Sequence, residues 1–275
     1  MNNNIKRLTI LFMQIVFVYY LYGQTVSRQD SILGLYATSM HNLGLKSLSN
    51  NQLQEALEYT KKAVDLRLEL LGEKNKDYII SLHNLAVCYA GLCKYEDALN
   101  TELKVCNLID VSGLHNDTIN ALASRLLGNH YYNMGNIEEA IKVGKEACKI
   151  NKLIFGDKHF EYANSLNLLG NYYATKGLLT EAIKIENEAL SIHSINKYDF
   201  GIATSHMHIG TIYSNQEQYS LAIKHLEKSA NIYESYLDKG YYYMNIASLI
   251  NCYNGIGNYS RAIIIGESRY KKTKW

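Results

Sequence analysis

The sequence predicts an all-α solenoid of about six helical hairpins, because one short motif returns at nearly constant spacing. In each copy a Leu or Ile precedes a residue that is usually small, and successive copies are separated by 42, 42, 42, 40 and 40 residues. The pairs are Leu43-Gly44, Leu85-Ala86, Leu127-Gly128, Leu169-Gly170, Ile209-Gly210 and Leu249-Ile250. Such a period is typical of stacked hairpins, each of which buries its apolar face only against its neighbours.

Two further positions keep the same register, counted from the second residue of each pair, which we call the anchor. An Ala stands twelve residues after every anchor, and a Tyr stands three residues after all but the first. These residues are Ala56, Ala98, Ala140, Ala182, Ala222 and Ala262, and Tyr89, Tyr131, Tyr173, Tyr213 and Tyr253. We expect the small anchor and the Ala to let the two helices of a hairpin approach closely, with the Tyr beside that contact.

The spacing predicts where each hairpin begins and ends. The expected hairpins cover about residues 37–70, 78–110, 118–154, 160–194, 199–236 and 240–271. Turns within them are marked by Asn and Gly, as at Asn50-Asn51 and Gly135-Asn136. Residues 24–36 are expected to form a polar lead-in without a regular element, and residues 37–275 a single repeat domain.

The pattern Leu-Gly-x-x-Tyr followed by Ala resembles the tetratricopeptide repeat over about residues 37–271. The connectors at 71–75 and 155–159, Leu-Gly-Glu-Lys-Asn and Phe-Gly-Asp-Lys-His, are similar to the Leu-Gly-x-x-His connector of kinesin-light-chain-type repeats. The resemblance implies a right-handed superhelical solenoid. It also implies a non-catalytic scaffold or adaptor that binds a protein or peptide in its concave groove.

The N-terminal segment has a different composition from the repeats. Lys6 and Arg7 precede fifteen mostly apolar residues, 8–22, which end at Gly23. A helix of that length rises only about 22 Å, which is less than a hydrocarbon core of about 30 Å. The pattern predicts a secretory signal peptide over residues 1–23 and an exported protein, periplasmic or extracellular. Anchoring in a membrane by residues 8–22 is the alternative.

The net charge of the chain indicates which kind of partner it binds, and the cysteine pattern indicates whether disulfides are expected. Twenty-eight basic and 26 acidic residues leave a net charge of +2, which argues against a dedicated nucleic-acid binder. The expected partner is therefore a protein or peptide, with membrane contact only if the N-terminal segment is uncleaved. The five cysteines show no framework of pairs and are expected to be small buried hydrophobes.

No catalytic motif is found in the sequence. It lacks H-E-x-x-H, G-x-S-x-G, the phosphate-binding loop and the calcium-binding loop, so we expect no enzyme, no cofactor and no metal site. His41 and His83 occupy equivalent places without an obvious carboxylate partner, which favours polar surface over metal ligation. His206 and His208 are two residues apart and are expected to lie on different faces of one helix.

The candidate binding surface is the row of first helices, which line the concave side in this architecture. Asn is a poor helix-interior residue, so its recurrence one residue after the anchor, or three before it, suggests amides that pair with a peptide backbone. The predicted peptide-binding residues are Arg125, Asn129, Tyr132, Asn167, Asn171 and Asn251. Arg125 with Asn129 is similar to half of a carboxylate clamp, although the neighbouring repeats lack the matching basic residues. An Asn-rich composition that scatters Asn over every exposed face is the alternative.

Two expectations concern what lies next to the repeats. The chain could be a sensory or regulatory region whose effector, a kinase or protease-like domain, lies beyond Trp275 or on a partner. The last hairpin contains the apolar run 263–265, from which we expect contact with a partner or self-association.

Export is tested by the mass of the protein in its native host. We expect a mature N-terminus close to Gln24, because the apolar run is short and ends at a small residue, Gly23. Intact-mass analysis measures it directly. A membrane-bound species that still carries residues 1–23 would support the anchored form instead.

Overall fold

A computed structural model describes residues 30–236 and 240–272, with side chains up to residue 267. Within those ranges every regular element is a helix. The helices are α1 (30–49), α2 (Leu53–Leu71), α3 (Lys76–Gly91), α4 (Tyr95–Val111), α5 (Thr118–Asn133), α6 (Ile137–Phe155), α7 (Phe160–Thr175), α8 (Leu179–Ile195), α9 (Asp199–Asn215), α10 (Tyr219–Tyr233), α11 (Gly240–Gly255) and α12 (Tyr259–Lys272). The all-α repeat architecture is therefore confirmed, and the predicted signal peptide lies outside the described residues.

The helices pair into six hairpins whose positions agree with the predicted ones. The difference is at the start, because α1 begins at residue 30 and residues 30–36 are therefore helical. The prediction of a lead-in without a regular element was therefore wrong for these residues. The first hairpin was predicted to start at residue 37 from the repeat pattern alone, although residues 32, 33, 35 and 36 are apolar and lie in the same helix.

The chain divides into two compact units, Met1–Gly113 and Leu114–Trp275. Unit 1 contains α1 to α4 and unit 2 contains α5 to α12. In unit 2 one cluster of buried apolar side chains belongs to the hairpins α5–α6 and α7–α8, and another to α9–α10 and α11–α12. Each core is thus shared between neighbouring hairpins, as expected of a repeat array.

Caps at the start of three first helices follow the sequence period. Asn75, Asp117 and His159 precede α3, α5 and α7, and each side chain accepts a hydrogen bond from the backbone N–H two residues later. The three caps are 42 residues apart. A side chain that satisfies one of the free N–H groups stabilises a helix by about 1 kcal/mol, so the repeat encodes these helix starts locally.

The turn inside each hairpin has one residue in the left-handed region, again at an equivalent place. These residues are Asn51, Cys93, Gly135, Gly177, Glu217 and Gly257, with φ between 58° and 86°. Only three of the six are Gly, although a side chain in this region costs about 1 kcal/mol or more. The hairpin geometry is therefore maintained by helix packing even where the turn residue is unfavourable.

The two helices of a hairpin approach most closely at the anchor. A methyl group added to Gly44, Gly170 or Gly210 would meet a side chain sixteen residues later at 2.5 to 2.7 Å. Those side chains are Thr60, Glu186 and Leu226. The fully buried Ala that stands twelve residues after each of these anchors lies one helical turn before them on the second helix. The predicted contact between small residues is present, and the position sixteen after the anchor is part of it.

All five cysteines are free thiols. Cys88, Cys148 and Cys252 are buried, as predicted, whereas Cys93 is exposed in a hairpin turn and Cys106 is half-buried. Burial raises the pKa of Cys148 to about 12. Such a thiol is protonated at neutral pH and chemically inert.

The hairpin register is tested by overpacking. Ala182 is fully buried between α7 and α8, so Ala182→Phe should lower the free energy of unfolding by about 1–3 kcal/mol. Lys142→Phe is the matched control, because the Lys142 side chain is 77% exposed. Chemical denaturation measures both. Equal midpoints for the two variants would show that the register is wrong.

Candidate peptide-binding groove

The first helices of unit 2 line its inner side. α5 contacts α7, α7 contacts α9, and α9 contacts α11. In the described part of the unit, the second helices of successive hairpins make no such contact with one another. Helices that converge on one side and diverge on the other form a concave face on the converging side, so α5, α7, α9 and α11 line the groove, as predicted.

A row of uncharged polar side chains runs along this concave face. Its members lie one or five residues after an anchor and therefore share one face of each first helix. We call them the amide–hydroxyl row; they are Asn129, Asn133, Asn171, Thr175, Thr211, Asn215 and Asn251. Asn129 and Asn171 are half-buried and the others are exposed. Asn129, Asn171 and Asn251 were predicted. Asn133, Thr175 and Asn215 were missed because the position five after the anchor was not followed, and Thr211 was missed because only Asn was selected one residue after the anchor.

Asn129 is held in one orientation by a buried tyrosine. The Tyr172 hydroxyl, which belongs to the next hairpin, donates a hydrogen bond of 2.7 Å to Asn129 Oδ1. Tyr172 is fully buried, and burial raises the pKa of its hydroxyl, so it remains protonated and needs an acceptor. Because Oδ1 is turned toward Tyr172, the two N–H donors of Asn129 lie on the other side of the amide. Asn129 thus offers donors to the groove.

Two glycines make room for Tyr172. A methyl group added to Gly128, the anchor of the third repeat, would meet the Tyr172 hydroxyl at 3.1 Å. One added to Gly144, sixteen residues later on α6, would meet the Tyr172 ring at 3.2 Å. Tyr132 stacks on the same ring with centroids 5.2 Å apart, and its hydroxyl is 3.3 Å from Thr175 Oγ1. The predicted residue Tyr132 therefore belongs to the wall of the groove.

Arg125 is not a free cation. Its guanidinium forms an ion pair with Glu161 on α7, and both side chains are about four-fifths buried. Glu161 Oε2 also accepts a hydrogen bond of 3.3 Å from Asn164. Because a carboxylate already neutralises Arg125, the predicted half of a carboxylate clamp is not available to a ligand.

Asn167 is not a groove residue, which corrects the prediction of an exposed stripe. It is 4% exposed, and all of its polar atoms have partners inside the protein. Its Nδ2 donates to Glu186 Oε2 at 2.5 Å and to Ser205 Oγ at 2.8 Å, and its Oδ1 lies 2.9 Å from His193 Nε2. In this repeat the position three before the anchor faces the second helix, so the polar residue there is interior.

His83 occupies the same position in the second repeat and behaves in the same way. It is 8% exposed, and its Nδ1 lies 2.9 Å from the fully buried Glu102 Oε1. The prediction of polar surface without a carboxylate partner was therefore wrong for His83. Glu102 and Glu186 both stand sixteen residues after an anchor, where other repeats have Thr, Gly or Leu. A Glu at that small or apolar position is the sequence signal that predicts a buried polar partner.

Glu186 connects α7, α8 and α9 through buried polar contacts. Its Oε1 lies 2.8 Å from His208 Nδ1, in addition to the contact with Asn167. Burial raises the pKa of the Glu186 carboxyl. Burial opposes ionisation of His208, but the attraction of Glu186 prevails and raises its pKa. This buried contact links α8 to α9.

His206 contacts a different partner from His208, as their spacing predicts. The Nδ1 atoms of His206 and His225 are 3.0 Å apart on α9 and α10. Burial and the charges of His225 and Lys228 lower the pKa of His206 to about 4, so the pair is neutral at pH 7. Within the described residues there is no group of three or more metal-ligating side chains.

The comparisons with known proteins agree with this arrangement of repeats. The tetratricopeptide repeat model matches residues 35–109 and 118–194, and a second model of that repeat matches 203–236. The chain belongs to the tetratricopeptide repeat family. Proteins of this family are generally non-catalytic scaffolds for protein–protein interaction. No curated protein sequence is significantly similar to the chain.

Several solved structures share the fold at low sequence identity. The TPR-like repeats of a kinesin light chain-like protein from Podosopora anserina are 20% identical, with a TM-score of 0.60, covering 71% of this chain and 93% of that one. BtubC from P. vanneervenii is 14% identical, with a TM-score of 0.52, covering 90% and 92%. MamA from Desulfovibrio magneticus RS-1 is 18% identical, with a TM-score of 0.50, covering 74% and 98%. At these identities the likeness concerns the fold alone.

Among the described helices, none combines the length and the apolar character needed to cross a lipid bilayer.

The neutral His206–His225 pair predicts a loss of stability in acid. The folded-state pKa of His206 is about 4 against an ordinary 6.5, so its contribution is present above pH 6.5 and is lost as the pH falls toward 4. His206→Gln removes this titration. Between pH 7 and pH 5, the variant should lose about 2 kcal/mol less unfolding free energy than the wild type. Urea unfolding at the two pH values measures the difference, and an equal loss in both proteins would contradict the assignment.

Proposed function

We propose that this tetratricopeptide repeat protein is an adaptor that binds an extended segment of a partner protein along the concave face of unit 2. The observation that carries the proposal is the amide–hydroxyl row. The amides can donate to backbone carbonyls and accept from backbone N–H groups, as an extended segment requires. The hydroxyls of Thr175 and Thr211 already donate to carbonyls of their own helices, so they add acceptors for backbone N–H groups. A scaffold fold and the absence of a catalytic motif in the sequence support binding over chemistry.

We also propose the compartment in which binding takes place, from the first residues of the chain. The basic start and the apolar run 8–22 support export, so the partner would be an exported protein or the outer part of a membrane protein. Fusion to an effector domain on a longer or separate chain is the alternative role. The same groove would then present the bound segment to that effector.

Self-association is a second proposed interaction, and it rests on the last hairpin. α12 exposes Ile263 and Ile264 at 59% and 54%, and Tyr259 at 63%. Ile256, in the preceding turn, is 46% exposed. Adjacent apolar side chains at this level of exposure favour burial against another protein surface, and a second copy of the chain presents the same surface.

The oligomeric state tests this second interaction. Sedimentation at tens of micromolar should show a dimer, and Ile263→Lys with Ile264→Lys should convert it to a monomer, because paired cations oppose burial of that face. Leu153→Lys on α6 is the matched control, since Leu153 is also an exposed apolar residue, at 74%. A wild-type monomer would end the proposal of self-association.

The groove is tested by replacing two side-chain amides that do not stabilise the fold. Asn171 and Asn251 show no side-chain hydrogen bond within the described residues, so Asn171→Ala with Asn251→Ala should leave folding intact. Each neutral hydrogen bond contributes about 0.5–1.5 kcal/mol, so the double variant should bind at least about fivefold more weakly. Calorimetry with peptides selected from a displayed random library measures the affinity.

The control for this test is Lys142→Ala, on the second helix α6. It should leave the affinity unchanged. Loss of binding in Lys142→Ala together with full binding in the double variant would place the interaction on the outer face. Asn129 is left intact in this design, because its removal would leave the buried Tyr172 hydroxyl without its acceptor.

A further inference from the structure

Charged side chains are distributed unequally between the two sides of unit 2. The four helices that line the groove, α5, α7, α9 and α11, contain only three residues with a permanent charge: Arg125, Glu161 and Asp199. Each of the second helices α6, α8, α10 and α12 carries at least three permanently charged residues. α6 alone has Glu138, Glu139, Lys142, Lys145, Glu146, Lys149 and Lys152.

None of the three charges on the groove helices is free within the concave row. Arg125 and Glu161 neutralise each other in a mostly buried ion pair. Asp199 is the first residue of α9, three helical turns before Thr211, where its charge is favourable for the helix N-terminus. His208 is next to the row, but it is bound to the buried Glu186. The surface presented to a ligand therefore consists of amides, hydroxyls, Tyr rings and aliphatic side chains.

An uncharged surface of this kind can still distinguish charged from neutral ligand side chains. A ligand Asp, Glu, Lys or Arg that enters the groove loses hydration and finds no counter-charge, which weakens binding. A neutral segment pays no such penalty, and its carbonyls can accept hydrogen bonds from the outward N–H groups of Asn129.

We infer that the groove of unit 2 selects extended segments without charged side chains, because the four helices that line it present no unpaired charge. This inference rests on the proposed function and adds the chemical class of the partner. It also assigns a role to the ion pair: Glu161 cancels a charge on Arg125 that would otherwise attract acidic ligands. The partner segment is then rich in small polar and apolar residues.

The test uses a displayed library of random peptides and the chain itself. Peptides enriched on the wild type should be depleted of Asp, Glu, Lys and Arg at their centre. Replacing the central residue of a selected peptide with Glu, or separately with Lys, should lower its affinity at least about tenfold. Glu161→Gln keeps a hydrogen-bond acceptor for Arg125 but leaves its charge uncancelled, so the Glu peptide should regain affinity while the Lys peptide does not. Glu139→Gln, on α6, makes the same charge change outside the groove and should change neither.

The outcomes separate this inference from the function on which it rests. If no peptide is enriched, the proposed groove function fails and the inference fails with it. If peptides bind through the groove but tolerate central Glu and Lys equally with Ala, the charge selection is wrong and the proposed function stands. If Glu161→Gln and Glu139→Gln have the same effect on the Glu peptide, the role given to the Arg125–Glu161 pair is overturned.

Discussion

The close approach of two helices at the anchor is the contact on which the rest of the structure depends. At Gly44, Gly170 and Gly210 the side chain sixteen residues later reaches the first helix, and a methyl group on the anchor would displace it. This contact turns one face of each first helix inward. The residues one and five after the anchor are then left on the other face, so the groove surface is a consequence of hairpin packing.

The contact at the anchor also explains why repeats with the same backbone fold have different buried side chains. In the third repeat Gly144 stands where the fourth has Glu186, and the vacant space is filled by Tyr172 from the next hairpin. In the fourth repeat Glu186 needs polar partners, which Asn167 and His208 supply. Buried polar groups require matched partners, so each such position makes its hairpin specific for its neighbour.

The fold could be predicted from the sequence, but much of the candidate binding site could not. The period of 40 to 42 residues placed all six hairpins, because each repeat carries its own anchor, turn and Ala. It could not show that Asn167 is interior, since exposure depends on Glu186, which lies nineteen residues later on another helix. For the same reason the pairing of Arg125 with Glu161, 36 residues apart, was not predicted. A polar residue in a repeat is assigned to groove or core only when the facing helix is known.

The central claim is that ligands lie along the first helices of unit 2. Chemical-shift mapping with a selected neutral peptide tests it most directly, because the side-chain amides of the row report contact individually. We predict shifts of the amide signals of Asn129, Asn171 and Asn251, with the signals of α6 and α8 unchanged. Shifts confined to the second helices would contradict the account.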